Sequence, residues 1–331
     1  MRYSIKVDQT VMQFRLELAD KLLSLASVIN QMSTIINNKE IRVFGIKRSG
    51  NHAIINWIFS QIPGQVVFAN HCYLAGKEIR IYKGTGRIDC KGINYWDFKK
   101  KYFFFERNPF FNKEIVTYSK NDQRFNGQKL KQHPKEAIIV SFEEKDIENF
   151  SDLMDRYHEQ WVGKSQEVFS IVILRDPFNV LASIYQKWGK ENLKNIAVLW
   201  EKYAQVYLSY QKSADRYRLG INYNQWLTDV NYRQAITERL QIPFDDSKKE
   251  LVANFAGGSS FDGLSYQQEG QKMDVLNRWQ TFREDPEYYS LFNNPQLLKL
   301  SEEIFGIIPG TEDFIASFQK NHWRNLPNKF L

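Results

Sequence analysis

A chain of 331 residues, with 43% hydrophobic and 25% charged side chains and few glycines and prolines, can bury a large core, which excludes fibrous and extensively disordered classes. Its net charge of +7 favours anionic ligands, but the basic residues are interleaved with acids along the chain, which argues against a dedicated nucleic-acid surface. Two cysteines without metal-site spacing (Cys72 and Cys90), no secretion-signal pattern and no apolar run of the ~20 residues that span a bilayer point to a cytoplasmic protein with no membrane span.

The first predicted element is helical. Over residues 8–37, Val11, Phe14, Leu18, Leu22, Leu25, Ile29, Met32 and Ile36 recur at steps of three and four. Such a stripe either packs on its own domain or forms a homodimer contact. Asn37, Asn38 and Lys39 then mark a boundary, giving an N-terminal helical extension (1–38) ahead of an α/β domain (39–331).

The most informative stretch follows, residues 41–58, IRVFGIKRSGNHAIINWI. A β-rich apolar run enters a loop opened by Gly45 and closed by Gly50, and a helix apolar on nearly every face comes next. Strand, glycine-bounded loop and helix N-terminus make an anion cradle, because backbone N–H groups converge there and the helix adds partial positive charge. The two glycines have the spacing of a nucleotide P-loop, G-x-x-x-x-G-K-[ST]. Asn51 and His52 stand where that motif has its lysine and hydroxyl, while Lys47 and Arg48 lie inside the loop. The pattern reads as a phosphate cradle without an Mg-nucleotide site.

Residues 65–69 (QVVFA) form a second strand that ends at Asn70 and His71. Residues 73–135 mix lysines with aromatic runs, and suit aromatic core or an acceptor-binding region better than single-stranded nucleic acid. Residues 137–142 (AIIVSF) form a third strand that ends at Glu143 and Glu144, and a helical stretch over 146–158 follows. The fourth strand, 169–174 (FSIVIL), is apolar throughout, as in a parallel sheet covered on both faces. Arg175–Asp176–Pro177 then opens a helix to Trp188, with Pro177 suited to its first position. A long helix over 192–213, a strand over 221–226, a helix over 229–240 and a mostly helical end over 274–331 complete the chain. Alternation of strands and helices predicts a doubly wound, mainly parallel α/β sheet with a P-loop-like loop and helical extensions at both ends, its ligands lying beyond the C-terminal strand ends.

Taken alone, Arg-Asp-Pro is a common strand-to-helix turn with a structural ion pair. Beside the cradle it reads differently. Arg48–Ser49–Gly50–Asn51–His52 and Arg175, with Ser183 eight positions on, together resemble the sulfotransferases that use 3′-phosphoadenosine 5′-phosphosulfate (PAPS). Carbohydrate-type and small-molecule-type features are mixed. The resemblance covers 41–58 and 168–190, is loose over 195–305, and is absent over 1–38 and most of 73–135.

This resemblance implies transfer of a sulfuryl group from PAPS to a hydroxyl or amine of a small molecule or glycan, leaving adenosine 3′,5′-bisphosphate (PAP) and requiring no metal. It implies that the amides of 48–52, with the side chains of Ser49, Asn51 and His52, hold the 5′-phosphosulfate, and that Arg175 and Ser183 hold the 3′-phosphate. Arg48 stabilises the leaving phosphate and Lys47 assists. For the base there are two candidates, Glu143 and His71. Ala53 replaces the adenine-stacking tryptophan of the small-molecule branch, leaving Tyr223 or Trp226 for that role. Lys272 and Arg278 are candidates for the family's C-terminal basic loop. Competing readings are a P-loop-type kinase or nucleotide phosphotransferase, marked by Mg-ATP binding, and a catalytically inactive nucleotide-binding scaffold.

Overall fold

Strand β1 (Ile35–Gly45) runs through the middle of the sheet, with a parallel neighbour on each side: β8 (Lys135–Glu143) and β9 (Lys164–Leu174). The computed structural model describes residues 35–75, 78–81, 87–91, 105–107, 115–118, 134–143, 162–249 and 274–312, together with Leu18, Lys21, Ile147 and Glu159. Beyond β8 lies β2 (Val66–Asn70), and beyond β9 lies β10 (Arg218–Asn222), both parallel to the rest. These five strands form a mainly parallel α/β sheet. Three antiparallel strands extend it past β2: β5 (Arg87–Lys91), β7 (Ile115–Tyr118) and β6 (Phe105–Arg107). The strands β3 (Cys72–Ala75) and β4 (Glu78–Ile81) pair antiparallel as a separate two-stranded sheet.

Alternation along the central strands feeds two cores. Phe44, Ile138, Val140, Phe142, Val172 and Leu174 face α2 (Pro177–Trp188) and α3 (Leu193–Lys212). Ile41, Val43, Ile139, Ile171 and Ile173 face α1 (Asn51–Gln61), α4 (Tyr223–Thr228) and α5 (Val230–Leu240). Helices on both faces explain why β8 and β9 are continuously apolar toward their ends. The terminal helices α6 (Pro286–Ser290) and α7 (Pro295–Phe305) join the first core through Tyr288, Leu297 and Leu300, so this part of the expected C-terminal extension belongs to the domain itself.

Strand order matters most for function. From β1 the chain passes over β8 to reach β2, and after β8 it crosses to the other side of β1. Connections therefore leave β1 in opposite directions, the arrangement that opens a ligand crevice at the C-terminal strand ends. Register places Gly45 beside Glu143 and Ile173, and Leu174 beside Asn222, so the loops after β1, β8, β9 and β10 share one edge.

Several expectations need correction. Asn37, Asn38 and Lys39 lie inside β1, which begins at Ile35. Buried Asn37 donates to the carbonyls of Val162 (3.2 Å) and Gly163 (3.3 Å) and to Ser165 Oγ (2.9 Å), and Lys39 pairs with Glu167 at 2.6 Å. Side-chain bonds to residues in and just before β9 let β1 start before its apolar run. The strand expected over 221–226 ends at Asn222, whose side chain accepts from the Gln225 amide (3.1 Å) and starts α4, so Tyr223 and Trp226 are helical. The antiparallel extension was not legible in 73–135.

Of the expected N-terminal helix, only Leu18 and Lys21 are described ahead of β1, both helical with exposed side chains. The rest of that helix, its dimer contact, the helix over 146–158 except Ile147, and the end after residue 312 lie outside the described residues. Among the described residues no helix is long and apolar enough to cross a membrane.

Adjacent Ile138 and Ile139 are both fully buried but on opposite faces. Replacing either with Ala should therefore cost about 2–5 kcal/mol in urea unfolding, whereas a sheet covered on one face would lose stability at only one of them.

Candidate anion site at the sheet edge

The loop between β1 and α1 is held open from within. Ser49 N–H donates to the Ile46 carbonyl (3.1 Å), and so does Asn51 Nδ2 (3.0 Å). A Cβ on Gly45 would stand 2.2 Å from Asn51 Oδ1, so glycine there makes room for the asparagine that braces the turn. Gly50 is left-handed, with φ +83°, and its missing Cβ would meet the Tyr223 ring at 2.0 Å. Arg48 also takes a left-handed conformation, φ 70°, which a non-glycine residue adopts only when its surroundings impose it. The amides of Asn51 and His52 occupy the first turn of α1, where a helix has no carbonyl of its own to offer.

Arg175, one residue past β9, supplies that constraint. Its side chain is almost wholly buried, and Nη1 donates to the Arg48 carbonyl at 3.1 Å. The same Nη1 lies 3.5 Å from Ser183 Oγ, Nη2 donates to the Val275 carbonyl, and the guanidinium sits 5.3 Å from the centre of the Tyr223 ring. Arg278, also buried, brings Nη1 to 3.2 Å from the same Ser183 hydroxyl. Two guanidinium groups thus converge on one side chain of α2.

Positive charge is packed here against its own preference. Burial, followed by repulsion from Arg175, lowers the Arg48 guanidinium below the usual arginine value, while Glu143 pulls it back up. Arg175 has no carboxylate within ion-pair distance among the described residues, and its Nε and the Ser49 hydroxyl are buried without a hydrogen-bond partner there. A buried cation held by carbonyls, a hydroxyl and an aromatic ring, with no carboxylate beside it among the described residues, is a costly arrangement that an anion relieves. The residues therefore fit a ligand carrying more than one anionic group.

Asp176 positions the surrounding segment. It caps α2 by accepting from Asn179 N–H (2.8 Å) and Asn179 Nδ2 (3.0 Å), and it also accepts from Asn224 Nδ2 (2.9 Å). Asn179 in turn donates to the Leu276 carbonyl (2.8 Å), holding the strip that carries Val275 and Arg278 against the site. Asp176–Pro177 carried a helix-start signal, but the link from Asn179 to Leu276 spans about a hundred residues and left none.

The structure brings together Arg48, Ser49, Gly50, Arg175, Ser183, Tyr223 and Arg278, with Glu143 at the end of β8 close enough to act on the charge of Arg48. Lys47 is half-buried in the same loop. Three expectations change. Asn51 donates its side chain inside the loop, and the His52 imidazole turns to Asn70 at 3.0 Å, so in this arrangement these two residues offer the cradle their backbone amides. Tyr223 meets Gly50, Arg175 and Trp226 with its ring, and buried Trp226 packs edge-on to Trp57, so neither ring is open for stacking on a base. His71 is left-handed (φ 54°) and half-buried, with its amide bound to Ser141 Oγ at 3.0 Å. Lys272 lies outside the described residues.

No family model and no curated protein matches the chain. Among solved structures it is similar to a sulfotransferase domain from the Synechococcus PCC 7002 olefin synthase, at 13% identity and TM-score 0.35 over 52% of this chain and 60% of that one. It is also similar to mouse sulfotransferase SULT7A1 complexed with PAP, at 13% identity and TM-score 0.39 over 88% of this chain and 92% of that one. The chain thus spans less than two thirds of the bacterial domain's length. At these scores, function must be argued from the chain's own residues.

Gly50→Ala should cost about 1–3 kcal/mol in urea unfolding through backbone strain and the Tyr223 clash. In a Tyr223→Ala background the same change should cost less. Equal costs in both backgrounds would show that the ring does not set the identity of residue 50.

Proposed function

We propose that the chain is a sulfotransferase that takes its sulfuryl group from PAPS and passes it to a hydroxyl or amine of a small molecule or glycan. The observation that carries this reading is the direct contact between two anion-binding motifs, Arg175 Nη1 on the Arg48 carbonyl, at one edge of a parallel sheet. A donor with a 5′-phosphosulfate and a separate 3′-phosphate needs two such holes side by side. The first is the loop of residues 48–52, and the second is Ser183 between Arg175 and Arg278.

Bound there, PAPS supplies a sulfuryl group whose departure builds negative charge on the oxygen left on the phosphate. Arg48, partly desolvated and fixed by its loop, places a guanidinium where that charge develops, an effect commonly worth a few kcal/mol. Lys47 adds a second cation in the same loop. Arg175 and Arg278 are assigned to binding rather than reaction, since both guanidinium groups converge on the Ser183 hydroxyl. A kinase reading lacks the lysine and hydroxyl that a P-loop uses for phosphates and Mg²⁺, because Asn51 and His52 fill those positions. An inactive scaffold has no need of Arg48 in a strained turn.

Calorimetry with PAP and with ATP–Mg²⁺ distinguishes the readings. PAP should bind the wild type and ATP–Mg²⁺ should bind far more weakly; the reverse order would replace this reading with the kinase. Arg278→Ala should weaken PAP binding roughly tenfold to a hundredfold, the worth of a charge-assisted hydrogen bond of about 1.5–3 kcal/mol. Arg48→Ala should leave PAP affinity within about threefold while lowering donor turnover at least about a hundredfold. If turnover survives Arg48→Ala, its catalytic role is wrong.

A further inference from the structure

Arg175, Asn179 and Ser183 follow one another at four-residue steps, in and just before the start of α2, and each bonds to the strip of residues 275–279. Arg175 Nη2 donates to the Val275 carbonyl, and Ser183 Oγ receives Arg278 Nη1 at 3.2 Å. Between them, Asn179 holds the strip at two points. Its Nδ2 donates to the Leu276 carbonyl at 2.8 Å, and its Oδ1 accepts from the Trp279 amide at 3.4 Å. Arg278 lies in the chain between these two anchors.

Asparagine suits the position because its amide presents a donor and an acceptor at the end of one short side chain. The orientation of that amide is fixed. Nδ2 also faces both carboxylate oxygens of Asp176, at 3.0 and 3.1 Å, so turning it over would set oxygen against a carboxylate and a carbonyl. Asn179 and Asp176 are both fully buried. The Trp279 ring is anchored separately, buried with the Phe178 ring edge-on at 6.3 Å. Losing the Asn179 amide therefore leaves the strip attached and frees the turn that aims Arg278.

We propose that Asn179 is the positioning residue that sets the preference for a nucleotide carrying a 3′-phosphate, an inference that rests on the sulfotransferase reading. Its amide fixes the backbone on both sides of Arg278, so that the guanidinium meets Ser183 beside Arg175. A phosphate there gains charge-assisted bonds from two guanidinium groups only while both are held in place. The 5′ group rests on the amides of residues 48–52, to which Asn179 has no hydrogen bond among the described residues. Its binding is independent of the Asn179 bonds.

Calorimetry with PAP and an NMR titration with adenosine 5′-monophosphate, which lacks the 3′-phosphate, read the effect on the full chain. The wild type should prefer PAP. Asn179→Ala should weaken PAP binding about tenfold and leave the monophosphate within about threefold. Arg278→Ala should then cost about threefold or less in PAP affinity in the Asn179→Ala background, against its full cost in the wild type. Asn179→Ser is the second variant if the alanine form does not fold, with the same selective loss expected. Equal losses on the two nucleotides, unchanged PAP affinity, or additive costs with Arg278→Ala would overturn the proposal and leave the functional reading standing. Failure of the wild type to bind PAP would remove that reading and this inference with it.

Discussion

The contact from Arg175 to the Arg48 carbonyl joins what the sequence separates. Arg48 stands in a left-handed turn that a side-chain-bearing residue does not hold unaided, and Arg175 is a buried cation with no carboxylate paired to it among the described residues. Each is unfavourable alone. Together, with the Ser183 hydroxyl and the Val275 carbonyl, they gather positive charge at one edge of the sheet. The rest of the fold serves that contact. The central position of β1 and the crossing of the chain from β8 to β9 bring the two loops to the same end of the sheet.

Electrostatics then narrows what can bind. Arg48, Arg175 and Arg278 crowd one region, and burial, followed by repulsion from Arg175, lowers the proton affinity of Arg48. Folding must offset that repulsion, and the hydrogen-bonded hub at Asp176 helps by locking α2, α4 and the strip around Val275 into one body. An anion placed among these guanidinium groups would relieve that repulsion. Stability and ligand affinity are thereby coupled through the same side chains.

Much of this was legible in the residues, and the exceptions have physical causes. The glycine spacing of the cradle, the apolar runs of β8 and β9, and Asp176–Pro177 all act locally, so their patterns report them directly. The helix from Pro177 to Trp188 matches its expected bounds for that reason. The antiparallel strands past β2 did not show, because RIDCK in β5 alternates charge with apolar residues and owes its place to backbone pairing with β2. Tyr223 looked like part of a strand until Asn222 capped a helix in front of it. The cradle residues Asn51 and His52 were harder still. The glycine spacing around them announced a phosphate site, but the Asn51 amide donates to the Ile46 carbonyl and the His52 imidazole meets Asn70, and nothing in a linear pattern shows which way an amide or imidazole turns.

The most direct measurement is a crystal structure with adenosine 3′,5′-bisphosphate. We expect the 5′-phosphate on the amides of residues 48–52, and the 3′-phosphate on Ser183 between Arg175 and Arg278, with Arg175 still bound to the Arg48 carbonyl. A nucleotide lodged elsewhere, or one whose two phosphates both miss Arg175, would contradict the assignment of this edge as the donor site.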